Sequence, residues 1–145
     1  MTHHPTHHWN GSTYSTLLGA SDTNGSMSIA YGIAAPNNGP PAHIHEAEDE
    51  IFVVLEGSMT FDVDGRRITC GPLEVAFVPR DAVHSFVTGP EGARGITILT
   101  PGGFEGFFAA MAEGNFEMPR DLEKVTAIAS QFHSRIVGPG LAMGH

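Results

Sequence analysis

The stretch Gly39-Pro-Pro-Ala-His43-Ile-His45-Glu-Ala-Glu-Asp-Glu50-Ile-Phe-Val-Val-Leu-Glu-Gly57 decides the reading of this chain. Three prolines, two asparagines and a glycine make 36–41 a loop, because proline has no amide hydrogen for a ladder and fixes φ. In the extended chain that follows, alternate residues point to one face, so His43 and His45 present two imidazoles side by side. After four intervening residues, Glu50 opens a strand-like run with Phe52 and Val54 on its own face. A carboxylate on an apolar face is costly to bury unless something positive pairs with it. Glu46, Glu48 and Asp49, between the histidines and that run, read as a solvated acidic loop.

Working outward, 50–55 and 58–63 read as two strands linked through Gly57. Asp64-Gly65 then separates 61–63 from 66–70. Asp-Gly between alternating runs is the strongest short hairpin signal, since a type I′ turn needs positive φ at both central residues. Further strands are expected at 74–78, 83–88 and 95–100, and upstream at 14–18 and 27–34 around the turn-rich 21–26. A third histidine, His84, lies in Pro79-Arg-Asp-Ala-Val-His84-Ser-Phe86, with Phe86 and Thr88 on its face. Short strands at this spacing predict an all-β sandwich or closed barrel.

Beyond Pro101-Gly102-Gly103 the period changes. Phe104, Phe107, Phe108 and Met111 draw one apolar stripe on a helix that Gly114 ends. Asp121 stands as N-cap of a second helix reaching about Phe132, with Leu122, Val125, Ile128 and Ala129 on one face. The predicted organisation is a histidine-rich tail over 1–10, a barrel over 11–100 and a helical extension over 101–145 packed on the barrel. The tail is expected to be frayed, the other reading being a docked segment whose Trp9 covers a cavity.

Composition narrows the function. The 145 residues suffice for one domain with a core of its own. Sixteen acids against seven bases give a net charge of −9, which opposes binding to nucleic acid or anionic membrane. The single cysteine, Cys70, excludes an internal disulfide and a four-cysteine zinc site. No apolar run approaches the roughly 18 residues of a membrane helix, and the N-terminus is no signal peptide, so a soluble cytoplasmic protein is expected.

A lone inward histidine is more often a hydrogen-bonded core group than a ligand, and a His-x-His pair alone says little. Conjunction carries the site: paired histidines, a carboxylate on a strand, a glycine turn, a hairpin, then a histidine after proline. Three histidines and a carboxylate converging inside a barrel suit one divalent first-row transition metal ion per chain, with positions open for substrate. Iron, manganese, cobalt, nickel, copper and zinc all accept such donors. By alternation, Phe52, Met59, Phe61, Phe77 and Phe86 are the expected apolar walls of a substrate pocket.

This pattern resembles the cupins. His43-x-His45, four residues, Glu50, six residues and Gly57 match the spacing of the first cupin motif, and Pro79 followed five residues later by His84 matches the core of the second. The resemblance covers roughly 20–100 and implies a double-sheet, jelly-roll β-barrel. It implies His43, His45, Glu50 and His84 as metal ligands. The chain departs from the pattern at four places. Asn37 and Leu73 stand where the two motifs have their leading glycines, Asp81 replaces a middle glycine, and Thr88 replaces a final asparagine. Pro101-Gly-Gly-Phe-Glu-Gly-Phe-Phe108 and Ile136-Val-Gly-Pro-Gly-Leu141 resemble the tail of bacterial quercetinase-like cupins. That likeness implies a metal-dependent dioxygenase acting on a flavonol-like or other enolisable or phenolic small molecule, with dioxygen as co-substrate and Glu50 as the catalytic base. The alternatives are a metal-dependent cyclase, isomerase or lyase that uses no dioxygen, and a cupin that binds a small ligand without turning it over. The resemblance and the exposed sheet edges further imply a homodimer.

Overall fold

Alternation along the chain is converted into nine strands among residues 6–142, the part of the chain that the computed structural model describes. In chain order these are β1 (Thr6–Trp9), β2 (Ser12–Leu18), β3 (Ser28–Ala34), β4 (Ala42–His45), β5 (Asp49–Val63), β6 (Arg66–Cys70), β7 (Val75–Val78), β8 (His84–Thr100) and β9 (Ser134–Gly138). Helices α1 (Glu105–Gly114) and α2 (Leu122–Gln131) lie between β8 and β9. All pairings are antiparallel and form one curled sheet in the order β1-β2-β3-β8-β4-β9, with β5 joining β8 to β6 and β7. The architecture is an all-β barrel made by one curled antiparallel sheet, with a short helical extension.

Two expected strand pairs turn out to be single bent strands. The 50–55 and 58–63 segments are one 15-residue strand, β5, and 83–88 and 95–100 belong to one 17-residue strand, β8. Gly57, read as a turn, is a bend inside the ladder. Register slips in β5 between Val54 and Glu56 and between Gly57 and Met59 increase the local twist, which lets a strand serve both layers. Gly57 sits at φ +75°, and a Cβ there would run into the Gly92 carbonyl of β8. The Asp64-Gly65 hairpin is as expected, with φ of 50° and 86° and Val63 paired to Arg66.

The N-terminal expectation needs correction within its described half. Thr6–Trp9 pairs with Ser12–Ser15 as an edge strand, and the Trp9 indole donates a 3.1 Å hydrogen bond to the Phe116 carbonyl. It meets Phe107 edge-on at 5.6 Å between ring centres. The remaining positions of the 1–10 tail, 1–5, lie outside the described residues. At the other end, β9 adds to β4 rather than lying over the barrel, so part of 101–145 is built into the sheet.

Two apolar clusters result. Phe52, Val54, Phe61, Cys70 and Val78 fill the end of the barrel between β5, β6 and β7. Leu99, Phe104, Phe107, Met111 and Val125 join the helices to the other end, with Trp9 and Ile136 against them. Helix α1 buries Phe107 and Met111 as the stripe predicts, ends at Gly114 and is followed by Asn115 in the left-handed region. Asp121 precedes α2 as expected but makes no side-chain cap; its carboxylate instead accepts from the Glu117 amide and the Arg120 guanidinium.

Candidate metal centre

Short strand β4 and the start of β8 are direct ladder neighbours, and His43 is paired with His84 across them. His45, two residues along β4, shares the face. Glu50 arrives on β5, where its ladder partner Val78 precedes the Pro79 loop that leads into β8. The three imidazoles each offer one nitrogen to a common centre, with these atoms all within 4.8 Å of one another. One Glu50 carboxylate oxygen lies 3.2 Å from His84 Nε2 and 3.5 Å from His45 Nε2. His45, His84 and Glu50 are buried and His43 is half-buried.

The other ring nitrogens face outward from this centre. His43 Nδ1 lies 2.9 Å from the Pro41 carbonyl and His84 Nδ1 3.0 Å from the Ala82 carbonyl. A carbonyl can only accept, so each Nδ1 carries the hydrogen and each Nε2 presents its lone pair to the cluster. His45 Nδ1 faces a carboxylate oxygen of Glu48 at 3.4 Å, and neither atom has a hydrogen-bond partner. Burial, with His84 and His45 nearby, pulls the His43 pKa down to about 3, so its imidazole is neutral at ordinary pH. Burial opposes charge on His45 too, but Glu50 and Glu48 outweigh it and hold the pKa above the usual value. Burial works against the Glu50 carboxylate, yet His45 and His84 keep its pKa below the usual range. Imidazole nitrogens converging beside a buried carboxylate, with His43 neutral, fit a divalent first-row ion.

A cavity of about 130 Å³ opens beside the cluster. Of the expected walls, Phe52, Met59 and Phe86 line it. Phe61 does not; it is fully buried behind Phe52 and Phe86, with ring centres 4.9 and 5.9 Å away. Phe77 is a misassignment, because it is 55% exposed on the outer face of β7. The inner positions of β7 are Ala76 and Val78, and Ala76 sits opposite Phe52. The small residue leaves room for the large one across the ladder, so the bulkier Phe77 takes the opposite phase. Tyr14, Trp9, Phe104 and Phe108 complete the cavity, none of them assigned to it from the β pattern. Tyr14 stacks on Phe108 at 4.0 Å, and burial pushes its phenol above the ordinary range. The acidic loop also divides: Glu46 is exposed beside Arg135 and Asp49 pairs with Arg80, but Glu48 is 4% exposed, not solvated.

The three glycine departures keep glycine's backbone. Asn37, Leu73 and Asp81 have φ of 54°, 65° and 70°, in the left-handed region that L residues other than asparagine and aspartate rarely enter. Thr88, in the fourth position, is buried and donates to the Ala35 carbonyl while accepting from the Asn38 amide.

A curled barrel carrying three imidazoles and a carboxylate inside one end defines a β-barrel protein with a candidate metal site. Residues 31–99 match the family model of the cupin domain, and the chain belongs to the cupin family. It is 37% identical over 71 residues to quercetin 2,3-dioxygenase of Bacillus subtilis (strain 168), a match covering 49% of this chain and 21% of that protein. Among solved structures, the polyketide cyclase RemF from Streptomyces resistomycificus is 32% identical, with a TM-score of 0.54 and 70% of each chain covered. An RmlC-like cupin from Shewanella frigidimarina superposes with a TM-score of 0.62 at 19% identity, covering 71% of this chain and 88% of that one. Among the described residues no helix is long and apolar enough to cross a membrane.

Proposed function

We propose that this cupin is a metal-dependent dioxygenase acting on an enolisable or phenolic small molecule, with one divalent first-row ion held by His43, His45, His84 and Glu50. The observation that carries the reading is Glu50 itself, a buried carboxylate between two imidazoles at the wall of an aromatic-lined cavity. A divalent ion there supplies Lewis acidity toward a hydroxyl oxygen and, where redox-active, electron transfer to dioxygen. The chain's own residues do the rest. Glu50, held as a carboxylate by His45 and His84, accepts the hydroxyl proton of the substrate. Phe52, Phe86 and Phe104 exclude water and hold the ring face-on or edge-on. Neutral His43 keeps its lone pair available without proton competition at ordinary pH.

Size refines the substrate class. The 130 Å³ cavity is comparable to the roughly 150 Å³ that accommodates one benzene, and falls below the roughly 300 Å³ at which drug-sized pockets begin. A single-ring enol or phenol matches this volume better than a multi-ring flavonol does. The test is oxygen uptake by metal-loaded protein with a flavonol and with single-ring enolisable phenols. Metal-dependent uptake is expected with at least one of them, and none with any would contradict the dioxygenase reading.

A second reading is favoured by the 32% identity to a polyketide cyclase. There the same site and the same proton acceptor drive ring closure or isomerisation without dioxygen. Turnover that proceeds unchanged under anaerobic conditions selects it.

A further inference from the structure

Glu48 lies outside the family's ligand pattern and is used by no step above. It sits in the short connection between β4 and β5, flanked by Ala47 and Asp49. Burying a carboxylate in a loop is expensive, and the usual compensations are an arginine, a lysine or several backbone amides. Among the described residues Glu48 has none of these. Its Oε1 is sealed from solvent and without a hydrogen-bond partner, and the polar atom facing it, at 3.4 Å, is His45 Nδ1. That nitrogen is equally sealed and equally without a partner. The other nitrogen of the same ring faces Glu50 at 3.5 Å, so the His45 imidazole stands between two carboxylates. Phe104 packs edge-on against the ring at 4.5 Å between centres, which restricts its rotation.

The three histidines therefore differ in what stands behind them. His43 and His84 each turn Nδ1 to the backbone carbonyl two residues earlier, a neutral acceptor. His45 turns Nδ1 to an anion. A carbonyl selects the tautomer; a carboxylate selects it and also makes the imidazole a stronger electron donor at Nε2. Glu48 cannot itself be a ligand in this arrangement, because it occupies the side of the ring opposite to the cluster.

We infer that Glu48 is a positioning residue for the metal centre, fixing the His45 tautomer through Nδ1 and strengthening His45 as the dominant imidazole ligand. The inference rests on the reading of the histidine cluster as a metal site. It identifies a carboxylate–histidine–metal relay whose outer member lies in a loop that composition marks only as acidic. Removing the charge while keeping the shape should weaken metal binding about 10- to 100-fold. Glutamine is the informative replacement, since its amide can offer either oxygen or nitrogen to Nδ1 and so loosens the tautomer as well as removing the charge.

The experiment is a competition titration of Zn²⁺ against a chromophoric chelator, on wild type, Glu48→Gln and Glu46→Gln. Glu46 is the matched control, an exposed acid of the same loop paired with Arg135 at 3.6 Å. The expected result is a 10- to 100-fold higher Kd for E48Q, an unchanged Kd for E46Q, and a metal-free melting temperature for E48Q no lower than wild type. Nitrogen-15 spectra of the zinc-loaded imidazoles give a second readout. The His45 Nδ1 proton should lose its carboxylate deshielding in E48Q, while those of His43 and His84 stay in place. A Kd for E48Q within threefold of wild type overturns the inference and leaves the metal site standing. Equal weakening in E48Q and E46Q also overturns it, since the effect would then be one of general acidity. Failure of the wild type to bind Zn²⁺ overturns the site and the inference together.

Discussion

At position 50 a carboxylate has two duties that a single substitution separates. Glutamine keeps the shape and one coordinating oxygen but loses the negative charge and most of the basicity. Glu50→Gln should retain measurable metal, while turnover per bound ion falls at least about 100-fold, in the range of general-base contributions. Rates normalised to metal content in the same sample check this, and near-native turnover would remove the proton-accepting role. The histidines make a pH prediction for the metal-free protein. His43 takes up a proton at about 6.5 when unfolded but only at about 3 when folded. Over that window the unfolded state binds more protons, so stability declines on acidification by about 1.4 kcal/mol per pH unit. Glu50, whose folded pKa is depressed, loses its contribution in the same direction as pH falls through its folded value. His45 has the opposite sign: its raised pKa contributes below the unfolded value and is lost as pH rises through the folded one. Thermal melts of chelator-treated protein between pH 4 and 8 should show the acid-side decline. At this scale the cluster of His43, His45, Glu50 and His84 was legible from the conjunction of paired histidines, a carboxylate on a strand and a histidine after proline. Glu48 was not, because a run of acids looks solvated until tertiary contacts bury one of them.

Among the elements, loop conformation outlasts loop composition. Leu73 holds φ of 65° with its side chain 78% exposed, so the strain of a branched residue there is offset by no packing. Leu73→Gly should therefore stabilise the domain by about 1 kcal/mol, the left-handed penalty less glycine's extra chain entropy. Denaturant melts decide it, and a loss of stability would refute the strain argument. The edge strand β1 carries a different prediction. Trp9→Ala removes the bond to the Phe116 carbonyl and the contact with Phe107, and should cost on the order of 2 kcal/mol, less than a fully buried tryptophan. It should also widen the cavity and raise kcat/KM for bulkier substrates relative to single-ring ones. Unchanged selectivity would mean that Trp9 does not gate size. Hairpin and helix signals were readable because their periods and turn residues are local. The docking of Thr6–Trp9 was not, since four residues with two histidines show no pattern until β2 offers an edge. The length of β5 and β8 was hidden for a related reason: glycines at bulges and at turns look alike in sequence, and the neighbouring strand decides between them.

For the whole molecule, the metal links chemistry to stability. An ion bound by the folded chain alone raises stability by about 2.7 kcal/mol at a hundredfold excess over Kd, a shift of several degrees in Tm for a chain this long. Because the ion takes the place of a proton on His45, the gap in Tm between loaded and metal-free protein should widen from pH 6 to 8. The barrel class was legible from strand spacing, whereas cavity size was not, since Tyr14, Trp9 and α1 set it from distant parts of the chain. The central claim is one divalent ion per chain at the barrel cluster rather than at the N-terminal histidines. The most direct measurement is elemental analysis of tag-free protein in which His3, His4, His7 and His8 are asparagine, equilibrated with Zn²⁺ and desalted, beside the same protein carrying His43→Asn and His84→Asn. Close to one equivalent is expected in the first and near zero in the second. Loss of all metal from the first, or its retention in the second, would contradict it.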